Sequence, residues 1–411
     1  MGSSLTQCVD SGPIASLAMR LKVSAKTPLA PSRVSRSLAR TFSLWRDPNH
    51  KRLRDAIDKI ATNSGFSAEL LSESLDALLL PFTAQSLESF AARVKIAPRV
   101  VGFVMPGNVA GAGIHEFAQA LITGAGVLVK TASAEPSFFA EFAKTIAEVD
   151  PELAARVATI AFNRGQAEFT RALQDSCDEL VVLGDDATVE MLERGGPVIG
   201  FGSRVSGALI AREALAPESI DALSDSVARD VTLFEQRGCL SPHHVFVEDE
   251  TGAEAHRFAK HLALALERLA RKLPPPAAID IGATAAIRAL RETSRWRKMA
   301  GAPVDLWESA GFAWTVIYDS AAPFKISPQY RTIHITPFAD FADFTSRLET
   351  VRGQLEAFAI ADPAEHLDEQ RSWLRRAGVS YFAAPGMMQS PPLEWPHGNG
   401  AFLSRVLRID E

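Results

Sequence analysis

Short apolar runs, each followed by an amphipathic stretch, set the pattern of this chain from residue 100 onward. Val100-Val101-Gly102-Phe103-Val104-Met105 has no polar member, the mark of a strand buried on both faces. A Pro-Gly-Asn turn follows it, and the spacing predicts a helix from Ala112 to Thr123, closed by Gly124-Ala125-Gly126. Val127-Leu128-Val129, Val157–Ala161 and Glu179–Gly184 read as further strands, with helices expected at Pro136 to Val149 and at Gln166 to Gln174. That alternation is the rhythm of a parallel sheet flanked by helices, and right-handed crossovers make it a Rossmann-like half. Asp185-Asp186-Ala187-Thr188 caps the next helix, which runs to Arg194.

The alternation resumes after a break at Gly195-Gly196-Pro197. Strands are expected at Val198–Gly202 and Gly207–Ile210, and a helix at Pro217 to Val231 leads into the loop Gln236-Arg237-Gly238-Cys239-Leu240-Ser241-Pro242. His244–Val247 is a strand and Ala253 to Lys272 a long amphipathic helix, followed by the hard linker Pro274-Pro275-Pro276. Beyond it come helices at Ala283 to Arg291 and Phe341 to Val351, and strands at Ala313–Tyr318, Thr332–Ile335 and Ala357–Ile360. Upstream of the first strand, helices are predicted at Leu53 to Thr62, Ala68 to Leu80 and Thr83 to Val94. The fold class is therefore α/β. The expected division is a flexible tail over 1–36, helices and a nucleotide-binding domain over 37–206, a catalytic domain over 207–385, and a C-terminal segment over 386–411 packing back on the body.

Length and charge narrow the function. The chain has 411 residues and a net charge of −6, too mild for a protein whose main partner is nucleic acid. No apolar stretch is long enough to span a membrane. Cysteines 8, 177 and 239 show neither metal-ligand spacing nor an even framework, so they read as reduced thiols of a cytoplasmic protein, with no metal expected. Between Asp10 and Asp47 there are seven Lys or Arg and no acidic residue, which fits either a basic tail or an organelle-targeting segment.

Three features carry chemistry. Cys239 stands beside a glycine in a loop between two elements, where a thiolate can attack a carbonyl. Asn108 sits in the Pro-Gly-Asn turn, where a rigid neutral amide can steady an oxyanion. Lys130 closes a buried strand, within reach of a bound nucleotide. Each also has an ordinary structural reading, as a small buried hydrophobe, a turn residue and a Lys packed by its stem. His243 and His244 follow the cysteine and either favour its thiolate or belong to the strand that begins there.

The order of these parts resembles the aldehyde dehydrogenase superfamily. More specifically, Gly238-Cys239-Leu240-Ser241-Pro242, Asn108-Val109 and Trp395-Pro396-His397-Gly398-Asn399-Gly400 resemble the acyl-CoA reductase branch typified by the reductase subunit of bacterial bioluminescence fatty-acid reductase complexes. The resemblance runs from about Phe42 to the C-terminus. It implies an aldehyde-dehydrogenase-like fold with Cys239 as nucleophile, and Asn108 and the Cys239 amide as oxyanion donors. It also implies that Lys130 and Ser133 lie at the adenosine ribose. NAD-selective relatives carry Glu at the step of Ser133, so Ser133 points to NADPH rather than NADH. Gly184 falls where the superfamily opens the helix that meets the pyrophosphate, but Asp185 and Asp186 replace its small hydroxyls. The general-base Glu of oxidising members, about 33 residues before the cysteine, is absent from Arg204-Val205-Ser206-Gly207-Ala208. Without a base to activate water, an acyl group on Cys239 survives for reduction.

The expected activity is reduction of acyl-CoA or an acyl-carrier thioester to aldehyde. The expected partners are an acyl-activating synthetase and further copies of the chain. Two alternatives stay open: a Cys239-dependent acyltransferase or thioesterase without hydride transfer, and a non-catalytic partner that keeps the fold.

Overall fold

The computed structural model describes residues 5–7, 11–163 and 165–407. The chain forms two compact units. The first comprises Met1–Ser64, Leu78–Ser203 and Pro392–Glu411; the second comprises Gly65–Ala77 and Arg204–Pro391.

The first unit is built on β1 (Thr6–Gln7), β2 (Val100–Val104), β3 (Gly126–Lys130), β4 (Val157–Ala161), β5 (Glu179–Leu183) and β6 (Ile199–Phe201), in the order β1-β4-β3-β2-β5-β6. Every pairing is parallel. Chain order reverses between β2 and β5, the switch point beside which open α/β sheets bind ligands at the strands' carboxyl ends. Buried Val, Leu, Ile and Phe fill the strands because helices cover the sheet.

The expected flexible tail is corrected in its described part: Gly12–Ala25 and Pro31–Trp45 are helices. Ile14, Leu17, Ala18, Leu21 and Ala25 are the buried positions of the first, at the three- and four-residue steps of a helix face. Several of them join the core under β2, β3 and β4. The approach is so close that a Cβ on Gly126 would lie 2.9 Å from the Leu21 Cβ. The basic residues ride on these helices; Lys22 pairs with Asp178 and Arg33 with Asp150. Cys8 lies outside the described residues.

The second unit holds β7 (Val205–Ile210), β8 (Pro242–Glu248), β9 (Val304–Glu308), β10 (Thr315–Asp319), β11 (Thr332–Phe338), β12 (Leu355–Ala361) and β13 (Tyr381–Ala383). Their order is β13-β12-β7-β8-β11-β10-β9, parallel except for the antiparallel edge pair β9–β10. The helices Ile220–Thr232 and Ala253–Lys272 carry long buried faces against this sheet's side of the core. The expected domain borders also shift. Gly65–Ala77, placed in the N-terminal domain on sequence, belongs to the second unit, and the last segment joins the first unit from Pro392 rather than 386.

Candidate active site

Cys239 lies at the tip of a loop in the second unit. The Ser241 N–H donates to the Gly238 carbonyl at 3.1 Å, a turn with Cys239 and Leu240 at its centre. The Gln236 Nε2 donates to the Pro242 carbonyl at 2.6 Å and closes the loop at its base. Ser206 Oγ donates to the Cys239 carbonyl at 2.6 Å and accepts from the Ala357 N–H at 3.0 Å. Ser206 stands 33 residues before the cysteine, within the stretch 204–208 where the resemblance leads one to look for a base. The position is occupied by a fully buried hydroxyl that supports the loop.

The thiols differ in environment. Cys239 is half-buried. Cys177 is pushed up to about 12 by burial, with the Asp178 charge adding to it, so it stays protonated at neutral pH. The histidines after the loop are structural. His243 Nδ1 accepts from the Ser327 N–H at 3.1 Å, and burial pushes the ring down to about 4. His244 Nδ1 accepts from the Lys325 N–H at 3.0 Å, and burial holds it well below the ordinary histidine range. Both are neutral at pH 7 and bring no cation to the thiol.

Behind the loop, Asp230 accepts from the Gly386 N–H at 2.6 Å and the Met388 N–H at 3.0 Å, and Gln389 Nε2 donates to Ser241 Oγ at 3.1 Å. Burial pushes the Asp230 carboxyl up to about 7 against those two donors. A folded-state value above the unfolded one gives stability that is complete below about pH 4 and is lost as pH rises through about 7. The unfolding free energy should therefore fall by up to about 1.4 kcal/mol per pH unit across that window. Asp230→Asn should remove the slope. Urea unfolding of both chains at a series of pH values checks this, and equal slopes would show that Asp230 is ionised throughout.

Asn108, Lys130, Ser133 and Gly184 lie at or just beyond the carboxyl ends of the neighbouring strands β2, β3 and β5 of the first unit. Val104 is in register with Lys130, and the Met105 N–H donates to the Lys130 carbonyl at 3.0 Å. A Cβ on Gly107 would lie 3.0 Å from those of Ala132 and Ala134, so the turn carrying Asn108 rests on the segment carrying Ser133. Asn108 and Ser133 are exposed. Lys130 is half-buried, its Nζ 5.3 Å from the Phe162 ring centre. Glu135, two residues beyond Ser133, turns inward and accepts from the Ser137 and Phe138 N–H groups at 2.8 and 3.0 Å. Burial raises its carboxyl.

Gly184 directly follows β5, its N–H donating to the Phe201 carbonyl at 3.1 Å. Asp185 caps the helix Asp186–Glu193 by accepting from the Thr188 N–H at 2.8 Å, and Asp186 accepts from the Ser203 N–H at 2.8 Å. Both carboxylates are thus engaged locally. Sequence reasoning missed Glu116. It is buried on the helix Ile114–Ile122 and lies 2.8 Å from His397 Nδ1. Burial would raise its carboxyl, but His397 and His115 hold it below the usual range. The His397 ring stacks between Trp395 at 4.1 Å and Phe201 at 4.2 Å, fastening the Trp-Pro-His segment to the first unit.

The family model described as Acyl-CoA reductase (LuxC) matches residues 33–409. The chain belongs to this acyl-CoA reductase family. It is an oxidoreductase of acyl groups whose product is an aldehyde. A long-chain acyl-protein thioester reductase of Aliivibrio fischeri is 21% identical over 371 residues, spanning 84% of this chain and 74% of that protein. Among solved structures, an oxidoreductase from Marinobacter aquaeolei superposes with a TM-score of 0.70 at 13% identity, covering 94% of this chain and 85% of that one. GapN from Methanocaldococcus jannaschii, complexed with NADP, gives 0.66 at 12% identity, covering 92% and 86%. An NAD-dependent benzaldehyde dehydrogenase from Corynebacterium glutamicum gives 0.66 at 17% identity, covering 96% and 87%. These likenesses show the aldehyde dehydrogenase fold.

Proposed function

We propose that the chain reduces an acyl thioester, carried on CoA or on a protein, to an aldehyde through an acyl group held covalently on Cys239, with NADPH as reductant. The observation that carries the reading is the closed loop that presents Cys239 while Ser206 fills the step of the missing base. The thiolate attacks the thioester carbonyl, the new S–C bond forms, and the carrier thiol leaves. Asn108 and the Cys239 N–H act as donors to the oxyanion. When bound, the nicotinamide supplies the hydride that takes the acyl group to the aldehyde level. Lys130 and Gly184 hold the dinucleotide, and the lack of a carboxylate among residues 204–208 protects the acyl-enzyme from water.

The name of the Aliivibrio relative supports a protein-borne acyl group, and with it a synthetase partner that loads the acyl chain. The two described cysteines are unpaired, which fits a cytoplasmic enzyme; among the described residues no helix is long and apolar enough to cross a membrane. The same reading makes the enzyme a homo-oligomer.

Ser133 supports NADPH. It is exposed and uncharged, and the nearest acid in sequence, Glu135, is spent on a helix start. Incubation with NADPH or NADH and a series of acyl-CoAs should give loss of nicotinamide absorbance matched by aldehyde, faster with NADPH. Ser133→Glu should lower the NADPH/NADH ratio of kcat/KM about tenfold. Like charges about 4 Å apart repel by about 4 kcal/mol at an effective dielectric near 20, and a third of that after screening is about tenfold. Absence of aldehyde with every thioester would overturn the activity. An unchanged ratio would overturn the place of Ser133.

A further inference from the structure

Two stretches of non-glycine backbone in the second unit are left-handed over three residues each. Phe234, Glu235 and Gln236 have φ of 52, 52 and 61°, and Gln329, Tyr330 and Arg331 have 68, 51 and 56°. L-residues adopt this conformation at a cost, and they keep it only where the surroundings over-determine it. Here the two stretches determine each other. The Tyr330 N–H donates to the Glu235 carbonyl at 3.1 Å, and Arg331 Nε donates to Glu235 Oε2 at 3.2 Å, with its Nη2 on the other carboxylate oxygen. The Gln236 amide continues the seam: its Nε2 donates to the Thr332 carbonyl at 2.8 Å and its Oε1 accepts from the Thr332 N–H at 2.9 Å. Phe234 is fixed from a third side, its N–H donating to Ser74 Oγ at 3.1 Å.

We propose that Arg331 and Glu235 are positioning residues for the Cys239 nucleophile. Their ion pair locks the two left-handed stretches together and, through Gln236, sets the base of the loop on which Cys239 stands. The inference rests on the assignment of Cys239 as the acyl acceptor.

The ion pair itself points this way. Both side chains are buried, 0% and 1% exposed. A buried pair is a poor source of stability, because desolvation offsets the attraction, and its attested use is to specify one arrangement among several. Arg331 is not even fully satisfied: its Nη1 is buried without a hydrogen-bond partner among the described residues. What the pair does satisfy is directional. A fork of two guanidinium nitrogens on two carboxylate oxygens fixes relative orientation as well as distance. The base of the loop inherits that orientation, since Gln236 follows Glu235 and holds both Thr332, beside Arg331, and Pro242, three residues past Cys239. A misplacement of about 1 Å at a reacting atom can cost about 10²-fold in rate.

Single-turnover acylation by an acyl-CoA, read as the rate of covalent acyl attachment, tests the proposal. Arg331→Met should lower the maximal acylation rate about 10²-fold, while the acyl-CoA concentration at half-maximal rate and the affinity for NADPH stay within about threefold. Arg331→Lys keeps the charge without the fork and should recover only part of the loss. Glu235→Gln keeps the shape without the charge and should lower the rate about tenfold; it decides the matter if Arg331→Met does not fold. Soluble variants that acylate within about threefold of wild type, with only a lower Tm, would make the pair structural and overturn the inference. Cys239→Ala, run alongside, separates the two readings: acylation that persists in it overturns the nucleophile itself rather than its support.

Discussion

Cys239→Ala should abolish acyl attachment and aldehyde formation while the fold and the binding of the nicotinamide cofactor persist. The contacts that shape the loop end on backbone atoms, the carbonyls of Gly238, Cys239 and Pro242. Removing the sulfur therefore leaves the frame standing, and the loss of one half-buried atom costs about 1 kcal/mol or less of stability. Cys177 cannot substitute, because its thiol stays protonated at neutral pH. Mass spectrometry of the protein after incubation with an acyl-CoA checks the result, with peptide mapping to exclude Cys8. Acyl groups found on Cys239→Ala in wild-type amount would end the assignment.

Asn108→Ala should lower the acylation rate by about 10²-fold or more, the usual effect of losing one oxyanion donor. Its exposed position in a turn predicts little change in stability, so rate and Tm should part company. Asn108→Asp keeps the size and removes the donor, and it should be at least as slow. Stopped-flow acylation of the three chains decides it. A rate within about threefold of wild type in Asn108→Ala leaves Asn108 a turn residue only.

The sheets were legible where burial on both faces made their strands mostly apolar. Val157–Ala161 falls on the expected residues, and Ala253–Lys272 does so because its polar and apolar faces are cleanly divided. The edge strand β9 escaped because Asp305 and Glu308 break its apolar run, and β13 because it is only three residues long. The helix Gly12–Ala25 escaped for another reason: its five buried positions are interleaved with Ser and Lys, and the residues around them imitate a tail. Ile281–Met299 is longer than its periodicity suggested, because its ends carry exposed Ile281, Trp296 and Met299 rather than a polar face. For the candidate site, turn residues and strand ends could be read, since a Pro-Gly-Asn or a Lys after three apolar residues is a local signal. The Glu235–Arg331 pair could not. Its members lie 96 residues apart, and nothing near either one announces the other.

The first unit is assembled from three pieces of chain, the last beginning at Pro392. Glu116 meets His397 across 281 residues of sequence. At about 5–20 residues per second of synthesis, its carboxylate waits roughly 15–60 s for its histidine. Throughout that interval Glu116 lacks the partner that it meets in the folded unit. Birth order thus makes the segment from Pro392 a late step for a core whose strands are made far earlier, and a chain interrupted near residue 390 leaves that core unfinished.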